Sequence, residues 1–186
     1  MKVYHLASFL TIAPIAICPI PATASLTNHE AIIDTALLFY RSLDLKSESL
    51  MRSITTSNIT FNGTLFASIG LGLSEPLVGQ ENVVPALIGA LPMTTMHNLQ
   101  NFRVEVEGGR GNVTAYVLAY HYKQLEEPRE NPRNNYLMGN RLEGSVVRGE
   151  GVWKFEFVRL EPFFQSGNID VMGLSGSGNG IVWACG

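Results

Sequence analysis

Residues 112–124 read NVTAYVLAYHYKQ, and this stretch decides the fold because its side chains alternate between two characters. Successive side chains of a β-strand point to opposite faces of the sheet. The first face comprises Val113, Ala115, Val117, Ala119 and His121, and the second comprises Tyr116, Leu118, Tyr120 and Tyr122. Because Val and Ala fill less space than Leu or Phe, we expect the first face to line a pocket that ends at His121.

Three further strand-like runs accompany this stretch, and Gly- and Pro-rich segments separate them as turns would. They are MHNLQNFRVEVE (96–107), NYLMGNRLEGSVVR (135–148) and VWKFEFVRLEPFF (152–164). Earlier in the chain, residues 47–54 and 80–91 have helical patterns, residues 58–66 resemble a strand, and residues 67–79 are typical of a loop or lid. Helices first and an antiparallel meander afterwards predict a single α+β domain in which helices cover one face of a curved sheet.

A first helix precedes all of these elements. Thr27 and Glu30 have the spacing of a capping box, which marks a helix N-terminus. Spacings of four, three and four place a set of residues on one helical face, and this set comprises Ile33, Leu37, Tyr40 and Asp44. The pattern therefore predicts an aspartate on the apolar face of the helix.

The run that contains His97 is irregular. Its regular apolar face comprises Phe102, Val104 and Val106. His97 and Leu99 are out of phase with that face, so we expect a β-bulge around Gln100 and Asn101 that re-aims the first half of the strand. His97 would then face the same interior as His121.

Asp44 is the candidate partner of His97, because a carboxylate on a buried face needs a hydrogen-bonding partner. Such a pair fixes which imidazole nitrogen carries the proton, as a general base requires. The residue patterns leave other roles open. Asp44 could instead cap a helix that begins near Ser47, His97 and His121 could each be structural polar residues, and Tyr40 could be a core residue.

Composition restricts the function classes. The 186 residues carry a net charge of −3, which argues against nucleic-acid binding, and 46% of them are apolar, which permits a large core. The cysteines are Cys18 and Cys185, so no disulfide is expected within the mature domain, and no ligand spacing indicates a metal site.

The ends of the chain indicate a secretory pathway. Residues 1–24 combine Lys2, an apolar run and the small-residue pattern Ala22-Thr23-Ala24, which predicts a cleaved signal peptide and no stable membrane anchor. Residues 25–172 form the predicted domain, and the Gly/Ser-rich residues 173–186 are a predicted flexible tail. Glycosylation sequons begin at Asn58, Asn62 and Asn112, which would make the protein a secreted or lumenal glycoprotein.

Several motifs, in this order, resemble those of the nuclear transport factor 2-like superfamily, in its SnoaL-like branch near scytalone dehydratase. They are FYRSLDLKSESLMRSI (39–54), TFNGTLF (60–66), LVGQENVVPAL (77–87), TTMHNLQN (94–101) and GVWKFEFVRLEP (151–162). The resemblance covers about residues 28–170 and implies an α+β cone, in which helices close a curved, mainly antiparallel sheet around a deep pocket.

The resemblance also implies site residues. Asp44 and His97 would correspond to the family's inward pair, and His121 to the second histidine of the dehydratase. Leu43 occupies the position of a dehydratase tyrosine, and Tyr40 lies near it. We further expect Tyr40, Phe61, Phe66, Val117 and Met138 to shape the substrate pocket.

The implied function is that of a lyase, isomerase or cyclase that needs no metal or organic cofactor. It would act on a small, largely apolar secondary metabolite such as a polyketide or terpenoid intermediate, with His97 as base and His121 as a donor to developing oxygen charge. A secreted small-molecule binding protein of the same fold is the alternative. Relatives often pair through the outer sheet face, so a homodimer or homotrimer is expected, and an interaction module is a third class.

Overall fold

Six strands and three α-helices are present among residues 26–123 and 133–173, which the computed structural model describes. The first half contains α1 (Asn28–Asp44), α2 (Glu48–Ser53), β1 (Thr55–Asn62), β2 (Leu77–Val78) and α3 (Gln80–Gly89). The second half contains β3 (Thr94–Glu107), β4 (Arg110–Tyr122), β5 (Tyr136–Gly149) and β6 (Val152–Gly167). Short 3-10 helices occupy Thr64–Ile69 and Ile169–Met172. The predicted signal peptide and nearly all of the predicted tail lie outside the described residues.

The strands form one curved sheet in the order β2-β1-β6-β5-β4-β3. All neighbouring pairs are antiparallel except β1 and β6, which run parallel. The α+β class and the mainly antiparallel sheet predicted from the sequence are confirmed. No helix in the described ranges is long and apolar enough to cross a membrane.

The register of β3 against β4 contains the bulge that the sequence predicts. Pairing shifts between Gln100 and Arg103, and Asn101 adopts a positive φ of 57°. Before the shift, Thr95 pairs with His121 and His97 pairs with Ala119. Because directly paired residues in adjacent strands point to the same face, His97 and His121 share the inner face of the sheet.

Helix α1 packs mainly against β3, and its buried face differs from the predicted one. The residues it buries are Ile32, Thr35, Ala36, Phe39, Tyr40, Ser42 and Leu43. Leu37 is 43% exposed and Ile33 is only partly buried, so this part of the prediction is wrong. Both faces have helical spacing and differ in phase by one residue; the larger apolar surface, which includes Phe39, packs inward. Tyr40 remains on the buried face, while Asp44 lies half-buried at its end.

Side-chain hydrogen bonds cap the N-termini of both α1 and α2. Thr27 and Glu30 form the capping box predicted at the start of α1. At the other end, Ser47 caps α2, since its hydroxyl accepts a hydrogen bond from the Leu50 amide. The alternative in which Asp44 caps α2 is therefore wrong.

The segment between β1 and α3 departs from the strand predicted for residues 58–66. The strand ends at Asn62, and the chain turns into a 3-10 helix at Thr64–Ile69. Beyond this turn, Leu71 and Leu73 are buried. The Gly-rich stretch thus folds inward and closes one side of the interior.

Candidate active site

The last residue of α1 and the start of β3 meet through a hydrogen-bonded cluster centred on the Asp44 carboxylate. Asp44 Oδ1 accepts hydrogen bonds from His97 Nδ1 at 2.6 Å and from Thr95 Oγ1 at 2.7 Å. Asp44 Oδ2 accepts from the His97 backbone amide at 3.1 Å. The carboxylate therefore holds both the backbone and the ring of His97.

This cluster affects the pKa of Asp44 and the tautomer of His97. Burial raises the pKa of Asp44, but the hydrogen bond and charge of His97, together with the Thr95 hydroxyl, outweigh burial and leave the pKa lowered. Since an ionised carboxylate only accepts hydrogen bonds, His97 Nδ1 carries the proton. His97 Nε2 has no hydrogen-bond partner in the part of the chain that is described, and the His97 side chain is 5% exposed. When its ring carries a single proton on Nδ1, His97 therefore presents an unprotonated Nε2 at a nearly buried position.

His121 lies on β4 with its ring centroid 6.1 Å from that of His97. Its Nδ1 lies 3.1 Å from the backbone oxygen of Tyr136, so Nδ1 must be the donor because a carbonyl oxygen only accepts. Burial lowers the pKa of His121 to about 4, against the smaller opposing effect of the Tyr136 hydrogen bond. His121 is therefore neutral near pH 7, and its Nε2 is an acceptor. The role of hydrogen-bond donor expected for this residue needs correction for this reason.

A cavity of about 100 Å³ adjoins both histidines. A cavity needs a volume of about 10–15 Å³ for each water that it holds, so this cavity accommodates several waters or a small organic molecule. Most of the lining is apolar and includes Leu43, Leu71, Leu73, Leu87, Leu91, Leu160 and Met172. The polar lining side chains are those of Tyr40, His97, His121 and Asn140. None of these four is a carboxylate, a lysine or an arginine, so the cavity suits a neutral ligand.

The structure places most of the predicted pocket residues on this cavity. Tyr40, Phe61, Phe66 and Met138 line it. Val117 does not: it is fully buried within the main hydrophobic core, in the part of β4 that precedes the cavity. The prediction for Val117 is wrong because the alternating face of β4 serves two environments, packed core first and cavity only from Ala119 onward.

Two buried polar atoms on the cavity lack a hydrogen-bond partner among the described residues: the Tyr40 hydroxyl and Asn140 Oδ1. Tyr40 packs its ring against His97 at a centroid distance of 4.9 Å. Burial strongly raises the pKa of Tyr40, so the phenol keeps its proton and can donate. Unpartnered buried polar atoms are costly, which makes both atoms candidate ligand contacts.

The sequence predictions missed three residues of the site: Thr95, Lys46 and Asn140. Asn140 gave a readable signal, because it interrupts the apolar alternation of Met138 and Leu142 in β5. Thr95 and Lys46 gave none. Their contacts depend on how α1 crosses β3, which local patterns do not specify.

The asparagines of the three predicted glycosylation sites do not line the cavity. The side chains of Asn58 and Asn112 are exposed. Asn62 is partly buried, and its Oδ1 accepts from the Thr64 hydroxyl at 2.8 Å. Within the described ranges, no group of three or more His, Cys, Asp or Glu side chains is arranged to hold a metal ion.

The family model of the SnoaL-like domain matches residues 24–159. No significant match occurs among curated protein sequences.

Solved structures with a similar fold include three bacterial proteins. The Kfla4162 protein from Kribbella flavida has a TM-score of 0.64 at 22% identity, covering 77% of this chain and 95% of its own. A protein from Novosphingobium aromaticivorans, provisionally described as a scytalone dehydratase, has a TM-score of 0.60 at 19% identity, covering 73% and 84%. The hexachlorocyclohexane dehydrochlorinase LinA-type3 from Novosphingobium barchaimii has a TM-score of 0.57 at 18% identity, covering 73% and 86%. At these identities, the similarity concerns the fold.

Proposed function

The chain belongs to the SnoaL-like domain family, and we propose on that premise that it is a cofactor-independent enzyme of acid–base chemistry. It would eliminate, isomerise or cyclise a small, neutral, largely apolar secondary metabolite such as a polyketide or terpenoid intermediate. Two proteins of similar structure carry the names dehydratase and dehydrochlorinase, which supports elimination in particular.

The observation that carries the proposal is the Asp44–His97 pair beside a largely apolar cavity. Nδ1–H donates to the carboxylate, so Nε2 accepts a proton from a carbon next to a carbonyl group or from a bound water. Asp44 then stabilises the resulting imidazolium without moving. A positioned base of this kind contributes roughly 10²- to 10⁴-fold to the rate.

The other polar groups of the cavity define how substrate oxygens would be held. The Tyr40 hydroxyl donates to a carbonyl oxygen, whose negative charge grows as the proton leaves. His121 Nε2 and Asn140 Oδ1 accept from a substrate hydroxyl. We therefore propose a neutral hydroxy-carbonyl compound as the ligand class.

The test begins with native mass spectrometry against a library of neutral hydroxy ketones and hydroxy enones. Each ligand that binds is then incubated with the protein in D₂O, and loss of water, change of retention time and deuterium uptake are followed. The wild type should convert or deuterate the ligand, and His97→Gln should slow this at least about 100-fold. His29→Gln, an exposed histidine on the same helix as Asp44, is the matched control and should behave as the wild type.

The results separate the two function classes. Equal rates in wild type and His97→Gln would reject the catalytic role. A ligand that binds tightly but is always recovered unchanged and without deuterium would indicate the binding protein that the sequence left as the alternative.

We also propose that the protein is secreted or enters the secretory-pathway lumen, on the basis of residues 1–24 and the three sequons. The exposed side chains of Asn58 and Asn112 are the preferred glycosylation sites. The natural protein should shift on a gel after endoglycosidase treatment, and an unchanged mobility would contradict glycosylation. A homodimer or homotrimer remains our expectation, to be checked by light scattering.

A further inference from the structure

Lys46 adopts a backbone conformation that a lysine rarely adopts. It follows α1 directly with a φ of 54°. Its amide bonds to the Leu43 carbonyl at 3.2 Å, and the Ser47 amide bonds to the Ser42 carbonyl at 2.9 Å. These two bonds define a Schellman motif in which Lys46 occupies the left-handed position that usually holds glycine. A non-glycine residue there is strained, and such strain often marks a functional site.

The Lys46 side chain reaches the candidate active site from this strained position. Its Nζ donates to Thr95 Oγ1 at 3.2 Å, and Thr95 Oγ1 donates to Asp44 Oδ1 at 2.7 Å. An ammonium group only donates, so the Thr95 oxygen must accept from it. The single hydroxyl proton of Thr95 is then directed at Asp44, which in turn holds His97.

We propose that Lys46 is a positioning residue for the Asp44–His97 pair, acting through Thr95 and through its positive charge. This inference rests on the proposed function. The strain at Lys46 is retained because the lysine side chain, which glycine lacks, orients the Thr95 hydroxyl and keeps the Asp44 carboxylate ionised. The chain trades helix-capping stability for an ordered base.

The charges around the pair agree with this role. Asp44 comes from α1, Lys46 from the turn after it, His97 from β3, and His121 from β4. Burial lowers the pKa of Lys46, while attraction to Asp44 opposes this effect. The ammonium also contributes to the low pKa of His121, after burial and the charge of His97. Removal of its charge should therefore let the Asp44–His97 pair take up a proton at higher pH.

Nuclear magnetic resonance of ¹⁵N-histidine-labelled protein tests the proposal without a substrate. Lys46→Gly removes both the ammonium and the backbone strain, and Lys46→Met removes the ammonium alone. In both variants, the Asp44–His97 pair should take up its proton about half a pH unit higher, a roughly threefold change in the protonation constant. The Nδ1 proton of His97 should also exchange with solvent at least about threefold faster. Lys46→Arg, which keeps the charge, should restore most of the wild-type behaviour.

Glu150→Gly is the matched control. Glu150 has a φ of 51° and lies exposed in the turn before β6, far from the site in sequence and on a different element. Urea unfolding of Lys46→Gly and of Glu150→Gly should show midpoints equal to or above that of the wild type, because glycine accepts a positive φ. Only the Lys46 variants should change the His97 signals.

The outcomes decide separately on this inference and on the proposed function. If the proton uptake of the Asp44–His97 pair and the exchange of the His97 Nδ1 proton are the same in Lys46→Gly and Lys46→Met as in the wild type, the positioning role is overturned, even if the protein proves to be an enzyme. A clear drop in the urea midpoint of Lys46→Gly, with unchanged His97 signals, would show that Lys46 is purely structural. Altered His97 signals in a protein that turns over no ligand would support the coupling and count against the proposed function alone.

Discussion

Replacement of Tyr40 by phenylalanine removes an oxygen atom that the structure leaves without a partner. The Tyr40 hydroxyl is buried, and no described residue hydrogen-bonds to it. Phenylalanine at this position would remove a buried polar group without breaking a hydrogen bond to any described residue, and a buried polar group without a protein partner costs about 1–3 kcal/mol. The Tyr40→Phe protein should therefore have a higher free energy of unfolding, by about 1 kcal/mol, with the ring contacts to Phe39 and His97 retained.

The same substitution at Tyr136 is the matched control, because its hydroxyl has a partner. Tyr136 Oη donates to Gln165 Oε1 at 2.6 Å. A typical intramolecular hydrogen bond contributes about 0.5–1.5 kcal/mol, so Tyr136→Phe should lose about that much stability. The two Tyr→Phe substitutions should thus change the free energy of unfolding in opposite directions.

Urea unfolding at pH 7 measures the free energy of unfolding of both variants. The slope of this free energy against urea concentration should stay the same as in the wild type. For the bound state, Tyr40→Phe should bind a carbonyl ligand about fivefold more weakly, which corresponds to the loss of a hydrogen bond of about 1 kcal/mol. A loss of 1 kcal/mol or more in ligand-free Tyr40→Phe would refute the reasoning, since the hydroxyl would then have a stabilising partner. Unchanged ligand affinity would remove Tyr40 from the proposed site.

Two further predictions concern buried residues of β4. His121 has a pKa of about 4 in the folded protein against 6.5 ordinarily, so the unfolded chain takes up a proton on this histidine at a higher pH than the folded protein does. The free energy of unfolding should therefore be highest above about pH 6.5 and fall by about 3 kcal/mol as the pH drops to 4. His121→Gln should flatten this dependence in urea titrations between pH 4.5 and 7, and an equal slope in both proteins would contradict it. Val117→Ala should cost about 2 kcal/mol of unfolding free energy and leave ligand affinity unchanged, and a large change in affinity would return Val117 to the pocket.

The strands were predictable because the alternation of residue types along each strand reflects which of its side chains are buried. In β4, side chains alternate between buried and more exposed from Gly111 to Tyr122, so a period of two was visible in the letters alone. The bulge at Gln100 and Asn101 was also predictable, since the apolar residues of β3 change phase there. These features depend only on local alternation.

The phase of α1 was harder to predict, because two helical faces offered apolar residues at the same spacing. Ile32, Ala36 and Phe39 face the sheet, whereas Leu37 remains exposed. Tertiary packing, such as that of Phe39 against Phe155, distinguishes these faces. A helical period gives the width of a buried face but not which of two similar faces is buried.

In the candidate site, too, some features were predictable from the sequence, whereas others depend on tertiary packing. Asp44 and His97 were paired from the sequence by the cost of a buried carboxylate and by the family resemblance, and the structure brings them within hydrogen-bonding distance. The tautomer of His121 could not be read in advance, because it depends on the Tyr136 carbonyl of the neighbouring strand. The Lys46–Thr95 contact likewise requires the crossing of α1 over β3.

The most direct test of the central claim is a double-mutant cycle on turnover of a hydroxy-carbonyl ligand obtained from the library screen. If Asp44 acts through His97, Asp44→Asn and His97→Gln each lower kcat/KM at least about 100-fold, and the double variant is no worse than His97→Gln alone. Losses that multiply in the double variant would show that the two residues act independently. A wild-type kcat/KM in His97→Gln would contradict the account altogether.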